Sequence, residues 1–278
     1  MLRTIILILI AQLCISAQDL GNGIRLGKFA HASSFDIMPG GSILVCDTEK
    51  NELIKLSPDG NTIKSVGGYG WDGENFDNPV HVFATTLNVY VSDLNNHRIQ
   101  IFDKDLNYLS EFKSRDSDSE SETFAYPKSC VVSNQGDIFV LDGDNQRVLK
   151  YDLSGRFLQE IGNTDSGEYA LNSPASLAVS AASKLFVPDN SAIKIFDLFG
   201  TGLLKFSVGF DVAAIRIRNN YISINSPTKI EFLDLSNSAE KLKEFTPGFG
   251  NNEIIVESII TDNFIYILTS NYIIKFQR

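Results

Sequence analysis

An apolar pentapeptide that ends in aspartate recurs along this chain at a nearly constant interval. It reads ILVCD, VYVSD, IFVLD and LFVPD, and its final residues are Asp47, Asp93, Asp142 and Asp189. A polar turn and a second apolar segment follow each copy, as in the stretch VSDLNNHRIQIF. Each copy therefore predicts two antiparallel strands joined by a short connection, with the aspartate as a turn-building residue. Spacings of 46, 49 and 47 residues predict a repeat architecture.

The surrounding sequence enlarges each copy to a four-strand unit. Pro79, Pro127 and Pro174 lie 14 or 15 residues before three of the aspartates, where a proline can open a strand because the missing N–H matters least there. Two degenerate units follow, YISINSPTKIEFLDL and FIYILTSNYIIKF, with Ser226 and either Thr269 or Ser270 near the aspartate position. We expect hydroxyl or backbone groups to replace the carboxylate there. Six units of four strands predict an all-β fold, a six-bladed β-propeller of four-stranded antiparallel blades.

The last unit holds only three strand segments before the chain ends at Arg278. Residues 23–29, GIRLGKF, precede the first unit and have no other role in the pattern. We expect this N-terminal strand to pair with the last blade and close the ring, because closure removes an exposed sheet edge. The prediction is a single propeller domain over residues 18–278.

The first 17 residues have the layout of a secretory signal peptide. Arg3 supplies a positive start, Ile5 to Leu13 form an apolar run too short to span a bilayer, and Ser16-Ala17 offer a small-residue cleavage region. Cys14 raises the alternative of a lipid anchor, but the bulky Leu13 before it disfavours that interpretation. The mature protein is therefore expected to be secreted or periplasmic, with no membrane span.

Charge and cysteine content narrow the possible partners. The formal net charge is −10, and loss of Arg3 with the signal peptide makes it −11, which disfavours nucleic acid and anionic membranes as partners. Cys46 and Cys130 remain in apolar strand contexts of non-adjacent units, so we expect core positions and no disulfide. The protein is expected to be a monomer.

At this level of detail the chain resembles the NHL-repeat family of six-bladed β-propellers. The segments VSDLNNHRIQIFD and VLDGDNQRVLKYDLSG carry the resemblance, and GGYGWDGENFDNP resembles that family's Gly-rich approach to a blade. The resemblance covers most of residues 30–278 and is sharp in two blades. It implies the fold and leaves function open, because this scaffold hosts many unrelated activities.

Two loops of the expected binding face stand out. The stretch Tyr69–Glu74 holds the only tryptophan, Trp71, so Tyr69, Trp71, Asp72 and Glu74, together with His97 from the neighbouring turn, are candidate contacts for a protein or a glycan. The competing interpretation, favoured by the usual burial of tryptophan, is that Trp71 packs against a neighbouring blade. The second loop, Ser114–Thr123, is predicted to be a solvated acidic insertion more than a calcium loop, since it lacks the required glycine.

The chain contains three histidines, His31, His81 and His97, which leave metal chemistry as the rival hypothesis. Related propellers include metal-dependent lactonases and lyases, for which His31, His81 and Asp36 would be the candidate ligands near the channel mouth. The remaining inner-strand residues are apolar or small apart from Arg216, and no catalytic set is apparent. The sequence therefore favours an exported, non-catalytic binding module for protein or glycan, with no catalytic residues, no cofactor and no metal; a metal-dependent lactonase or lyase is the alternative.

Overall fold

The computed structural model describes residues 23–113, 119–237, 242–249 and 253–278. These residues form six four-stranded antiparallel sheets arranged as the blades of a propeller. The all-β, six-bladed architecture predicted from the repeat is thereby confirmed. The predicted signal peptide and residues 114–118 of the acidic insertion lie outside the described residues.

Strand β1 (Ile24–Leu26) precedes the blades in the chain. The strands of blades 1 to 3 are β2 (Ala32–Ile37), β3 (Ile43–Asp47), β4 (Glu52–Leu56), β5 (Thr62–Gly67), β6 (Pro79–Ala84), β7 (Asn88–Asp93), β8 (Arg98–Asp103), β9 (Tyr108–Phe112), β10 (Pro127–Val132), β11 (Ile138–Asp142), β12 (Arg147–Tyr151) and β13 (Phe157–Ile161). Short 3₁₀ helices at Glu120–Glu122 and Thr164–Tyr169 lie in the loops that enter blades 3 and 4.

Blades 4 to 6 follow the same order from the inner to the outer strand. Their strands are β14 (Ala178–Val179), β15 (Lys184–Asp189), β16 (Ala192–Asp197), β17 (Gly202–Ser207), β18 (Ala214–Arg218), β19 (Tyr221–Asn225), β20 (Ile230–Asp234), β21 (Lys243–Phe245), β22 (Glu257–Ile260), β23 (Phe264–Leu268) and β24 (Ile273–Gln277). Pro79 and Pro127 open inner strands as predicted, whereas Pro174 forms an isolated bridge to Asp189 and its inner strand starts later.

The ring closes through the N-terminal strand. Strand β1 pairs antiparallel with β24, with Ile24 opposite Lys275 and Leu26 opposite Ile273, and supplies the fourth strand of blade 6. Leu26 and Phe29 are buried in the apolar cluster that also holds residues of blades 1 and 6. The predicted closure is confirmed, and it joins the two ends of the described chain through one sheet.

Apolar clusters lie between neighbouring blades, because each blade buries both faces of its sheet. Cys46 and Cys130 are buried in two different clusters, and both are free thiols. Burial raises the pKa of each thiol well above its usual range. The prediction of two separate core cysteines without a disulfide is confirmed.

A set of side chains links the inner strands around the channel, and we call it the channel girdle. Each member accepts a hydrogen bond from a backbone N–H of the next blade, and in blades 1 to 3 a β-bulge directly precedes the accepting residue. The bonds are Val82 N to Ser34 Oγ (3.1 Å), Cys130 N to His81 Nδ1 (3.5 Å), Leu177 N to Ser129 Oγ (3.1 Å), Ile215 N to Ser176 Oγ (3.1 Å) and Phe35 N to Glu257 Oε2 (2.8 Å).

The turns of blades 5 and 6 replace the missing aspartates with hydroxyl groups. Ser226 Oγ accepts N–H bonds from Thr228 and Lys229, and Thr269 Oγ1 does the same for Asn271 and Tyr272. This substitution was predicted. The predicted alignment of Ser226 and Thr269 with the aspartates is off by one residue, however. The strand register shows that Asn225 and Leu268 occupy the aspartate position, one residue before those hydroxyls.

Among the described residues, no helix is both long enough and apolar enough to cross a membrane.

Candidate functional site

The four repeated aspartates fasten the loop by which the chain enters each blade. Asp93 lies at the end of β7, is fully buried, and accepts the N–H of Asp77 at 2.8 Å. The equivalent bonds run from Ala30 and His31 to Asp47, from Ala125 to Asp142, and from Asn172 and Ser173 to Asp189. The turns after the second strands and the entry loops therefore share one end of the propeller, which we call the turn end.

A basic residue five positions after the aspartate completes this clamp in blades 2 to 4. Arg98, Arg147 and Lys194 contact their aspartates at 2.7, 3.1 and 2.6 Å. Burial tends to raise the pKa of the Asp189 carboxyl, but the bonds from Lys194 and the entry loop outweigh it and lower that pKa. Blade 1 has Glu52 at this position and lacks the pair.

Arg98 uses its whole guanidinium to hold the entry loop of blade 2. Its Nε donates to Asp93, and Nη1 donates to the carbonyl of Trp71 at 2.7 Å and to Glu111 Oε2 at 2.5 Å. Nη2 donates to the carbonyls of Asp72 at 3.0 Å and Asn75 at 2.7 Å. All five donors of the side chain are thus satisfied. The loop backbone is consequently fixed from beneath by a buried cation.

The same loop is closed by its own backbone. Phe76 is fully buried and exchanges hydrogen bonds with the backbone on the other side of the loop: its N–H donates to the Gly68 carbonyl and its carbonyl accepts from Gly70 N–H. Glu74 adopts a positive φ of 73° and donates its N–H to Gln100 Oε1 at 3.0 Å. The loop is a rigid platform as a result, anchored by Phe76 and Arg98.

The platform displays an aromatic pair to solvent. Tyr69 is 66% exposed and Trp71 is 70% exposed, with ring centroids 6.0 Å apart at an interplanar angle of 62°. The interpretation that Trp71 packs against a neighbouring blade is therefore wrong. The physical reason is that Phe76, and not Trp71, packs into the apolar cluster of the blade, while Arg98 donates a hydrogen bond to the backbone carbonyl of Trp71.

Acidic groups flank this aromatic pair. Asp72 and Glu74 are exposed, and residues 67–78 include no lysine or arginine. We call Tyr69, Trp71, Asp72 and Glu74 together the Trp71 surface. Its four side chains were singled out in the sequence, whereas the supporting role of Arg98 was missed. The recurrence of a basic residue five positions after the aspartate was the signal that could have revealed it.

His97, the fifth residue predicted for the binding face, connects two blades. It has a positive φ of 52°, and its Nδ1 accepts the N–H of Tyr126 at 3.0 Å. The two rings meet edge to face with centroids 4.2 Å apart. His97 thus lies at the turn end as expected and is engaged by the entry loop of blade 3.

The rival metal candidates are held apart by separate contacts. His31 is exposed and its Nδ1 lies 3.0 Å from Thr48 Oγ1. His81 is buried, and both of its ring nitrogens are occupied, Nε2 by Ser129 Oγ at 3.1 Å and Nδ1 by the N–H of Cys130. Burial, with the nearby Arg216 charge, lowers the pKa of His81 well below its usual range, so its imidazole is neutral.

Asp36, the third metal candidate, lies toward the opposite end of its strand. It is five residues beyond His31, about 16 Å along an extended strand at about 3.3 Å per residue. Its carboxylate accepts the backbone N–H groups of Ile37 and Ala84. No three His, Cys, Asp or Glu side chains within the described part of the chain form a group suited to a metal ion.

A cavity of about 180 Å³ occupies the channel at the end remote from the turn end. All six inner-strand regions contribute to it, because the inner strands run parallel to one another and finish there. Asp36, Arg216 and Arg218 are its charged lining residues, and most of the remaining wall is apolar. This end of the molecule, which we call the cavity end, was not singled out by the sequence.

Comparisons with known proteins bear on the fold more than on the site. No known protein-family profile matches the chain. A match to the Drosophila melanogaster protein named brain tumor is 30% identical over 145 residues, which is 50% of this chain and 13% of that protein. The chain therefore corresponds to only a small part of that relative.

Several solved structures are similar in fold. A catalytically inactive variant of virginiamycin B lyase from Staphylococcus aureus, determined with quinupristin, has a TM-score of 0.62 and 13% identity over 89% of this chain and 80% of that chain. The selenomethionine-substituted form of virginiamycin B lyase from the same organism scores 0.60, at 13% identity over 89% and 95% of the two chains. A streptogramin B lyase scores 0.59, at 15% identity over 88% and 78%. At these identities the likeness supports the propeller fold of this chain and nothing finer.

Proposed function

We propose that this protein is an exported NHL-type propeller that acts as a non-catalytic binding module, with the Trp71 surface as its contact for a protein or a glycan. One observation carries the proposal: two exposed aromatic side chains project from a loop whose backbone is fixed by the buried Arg98. Tryptophan and tyrosine supply much of the binding free energy at protein interfaces and stack well on sugars. A loop that is already ordered loses less conformational entropy when it binds.

The experiment compares matched variants of the mature protein on a glycan array and in pull-downs from the exported fraction. Trp71→Ala should weaken retention of the bound partner by about tenfold or more, as expected for an interface hot spot. Phe199→Ala is the control, because Phe199 is another highly exposed aromatic residue, in the turn between β16 and β17. Equal retention by wild type and Trp71→Ala would contradict the proposal.

Trp71 also serves as its own reporter. It is the only tryptophan in the sequence, so the intrinsic tryptophan fluorescence arises from this loop alone. A partner that covers the Trp71 surface should shift the emission to shorter wavelength as the indole leaves water. Binding without any change in the emission would place the contact elsewhere on the propeller.

The metal-dependent lactonase or lyase alternative has a separate test. Metal analysis of purified protein should find no stoichiometric zinc or calcium. Assays for metal-dependent lactonase and lyase activity should detect none that is lost in His81→Ala.

N-terminal sequencing of the exported protein tests cleavage near Ala17 and, by the same measurement, lipidation at Cys14. Size-exclusion chromatography with light scattering tests the proposed monomer.

A further inference from the structure

The cavity end of the channel presents charges of both signs within a mostly apolar wall. Asp36 and Arg216 are each only 5% exposed, and Arg218 lies two residues after Arg216 at the end of β18. Residues two apart on a strand point to the same face, so both guanidinium groups belong to one side of the cavity. Asn134, Ser180 and Asn219 add polar groups to its lining.

Arg216 is only partly satisfied by the protein. The two hydrogens of its Nη2 are shared among three acceptors, Glu257 Oε2, Ser34 Oγ and the Val82 carbonyl, at 2.9, 2.6 and 3.0 Å. Its Nε lies 2.7 Å from Glu257 Oε1 but is too poorly aligned for a hydrogen bond. Its Nη1 makes no hydrogen bond to any residue in the described ranges. A buried guanidinium with a spare donor group is thus part of the cavity lining.

Asp36 and Arg218 add one further group of each sign. The oxygens of Asp36 each accept one backbone N–H, which leaves lone pairs for a ligand. Arg218 forms neither a hydrogen bond nor an ion pair with the part of the chain that the structure describes, so no described carboxylate compensates its charge. The Arg216 charge, in contrast, is balanced locally by Glu257.

The volume and the charges together restrict the ligand. A cavity of about 180 Å³ is slightly larger than an engineered cavity of about 150 Å³ that holds benzene, so it suits a molecule of fewer than about ten non-hydrogen atoms. An anion without a positive group would face the Asp36 carboxylate, and a cation without a negative group would face two guanidinium groups. A ligand that carries both charges can place its positive group next to Asp36 and its negative group next to the guanidinium groups, so that no like charges face each other.

We propose that this cavity binds a small zwitterion, an amino acid with a short apolar side chain. Its ammonium group pairs with Asp36, its carboxylate pairs with Arg218 with Arg216 Nη1 as a second donor, and its side chain contacts the apolar wall formed by residues such as Leu177 and Ile259. The site is independent of the Trp71 surface, since the two lie at opposite ends of the channel.

Titration calorimetry on the mature protein tests the proposal with three probes that share one apolar body. L-leucine carries both charges, 4-methylpentanoate lacks the ammonium group, and 3-methylbutylamine lacks the carboxylate. Leucine should bind saturably, and each single-charge analogue should bind at least about tenfold more weakly, because each leaves one charged group of the cavity lining without a partner. No saturable binding at millimolar leucine, or equal binding of all three probes, would overturn the proposal.

A pair of variants assigns the binding to this cavity. Arg218→Gln should weaken leucine binding by about tenfold or more. It leaves no described partner group unpaired, so the fold should persist. Arg156→Gln is the control, because Arg156 is an exposed arginine on a turn outside the cavity and should leave leucine binding unchanged. Leucine affinity in Arg218→Gln equal to that of the wild type would refute the assignment.

Discussion

Blades 2 to 4 and blades 5 and 6 build the turn between their second and third strands in two different ways. In the first group a buried aspartate pairs with a basic residue five positions later, and the pair holds the entry loop of its own blade. In the second group Asn225 and Leu268 take the aspartate position, and hydroxyls one residue later bond within the turn alone. The charged clamp therefore couples a turn to a distant loop, whereas the bonds accepted by the hydroxyls stay within the turn.

This difference bears on where function can reside. A charged clamp lets the entry loop of blade 2 display Trp71 and Tyr69 without collapsing onto the blade, because Arg98 satisfies three of its carbonyls from below. The Ser226 and Thr269 hydroxyls accept bonds only from their own turns and give an entry loop no such support among the described residues. Blade 6 also borrows its outer strand from the N-terminus, so its stability depends on residues far away in the chain.

The largest expected effect comes from removing the borrowed strand. Deletion of residues 18–29 removes β1 and the buried Leu26 and Phe29 from the cluster between blades 1 and 6. Because truncating a single buried large side chain costs about 2–5 kcal/mol, the free energy of unfolding should fall by about 5 kcal/mol or more. Chemical denaturation measures this loss.

Hydrogen exchange localises the effect of the same deletion. Protection should fall most in β22 to β24 of blade 6 and least in β6 to β9 of blade 2, which has all four of its own strands. A truncated protein with the melting temperature of the mature form would show that closure is not stabilising.

The charged clamp of blade 2 should give the next largest effect. Arg98→Met leaves Asp93 and the carbonyls of Trp71 and Asn75 without their cation, and breaking a buried ion pair in this way costs about 3–5 kcal/mol. Denaturation should record that loss, and Trp71 fluorescence should become more easily quenched by acrylamide as the loop loosens. Arg156→Met, at an exposed pair, is the control and should change stability by less than about 1 kcal/mol.

The channel girdle adds a pH-dependent difference between blade 2 and its neighbours. Blades 1, 3 and 4 use serine in the channel girdle, whereas blade 2 uses the buried His81. Burial and the Arg216 charge lower the pKa of His81 well below its usual value. Below about pH 6.5 the unfolded chain binds a proton at His81 that the folded chain does not. Stability should therefore fall as pH drops from about 6.5, by up to about 1.4 kcal/mol per pH unit.

Thermal unfolding of His81→Gln tests that linkage. This variant should lose much of the decline in melting temperature between neutral and mildly acidic pH, since it has no imidazole to protonate. His31→Gln removes an exposed histidine and should keep the full decline. The same pH dependence in wild type and His81→Gln would assign the decline to other groups.

The smallest expected effect concerns the hydroxyl turns. Ser226→Ala removes the acceptor for the N–H groups of Thr228 and Lys229, both partly open to water, and should lower the free energy of unfolding by about 1 kcal/mol. Thr269→Ala should behave alike. A loss as large as that of Arg98→Met in either variant would remove the distinction between local turns and charged clamps.

The repeat pattern alone predicted much of this structure. Asp47, Asp93, Asp142 and Asp189 recur because each ends the second strand of its blade, so their spacing gives the length of the repeat and the positions of blades 1 to 4. The three-strand last unit called for an outside strand, and residues 23–29 provide it. These features follow from local pattern, since strand propensity and turn chemistry are written into neighbouring residues.

Other features depended on residues that meet only in the folded ring. Trp71 could not be placed from its own loop, because its exposure results from Phe76 filling the blade contact and Arg98 holding the loop carbonyls. His81 resembled a possible ligand in sequence but is a girdle acceptor for Cys130, nearly fifty residues away.

The sequence by itself thus determined the all-β propeller, the ring closure, the two unpaired core cysteines and which loops lie at the turn end. Only the tertiary structure decided that Trp71 faces solvent, that Arg98 supports it, and that Asp36, Arg216 and Arg218 share one cavity. The physical reason is the range of the interactions involved. Strand and turn patterns act over a few residues, whereas the burial of a side chain and the pairing of charges around a channel depend on blades that are distant in sequence.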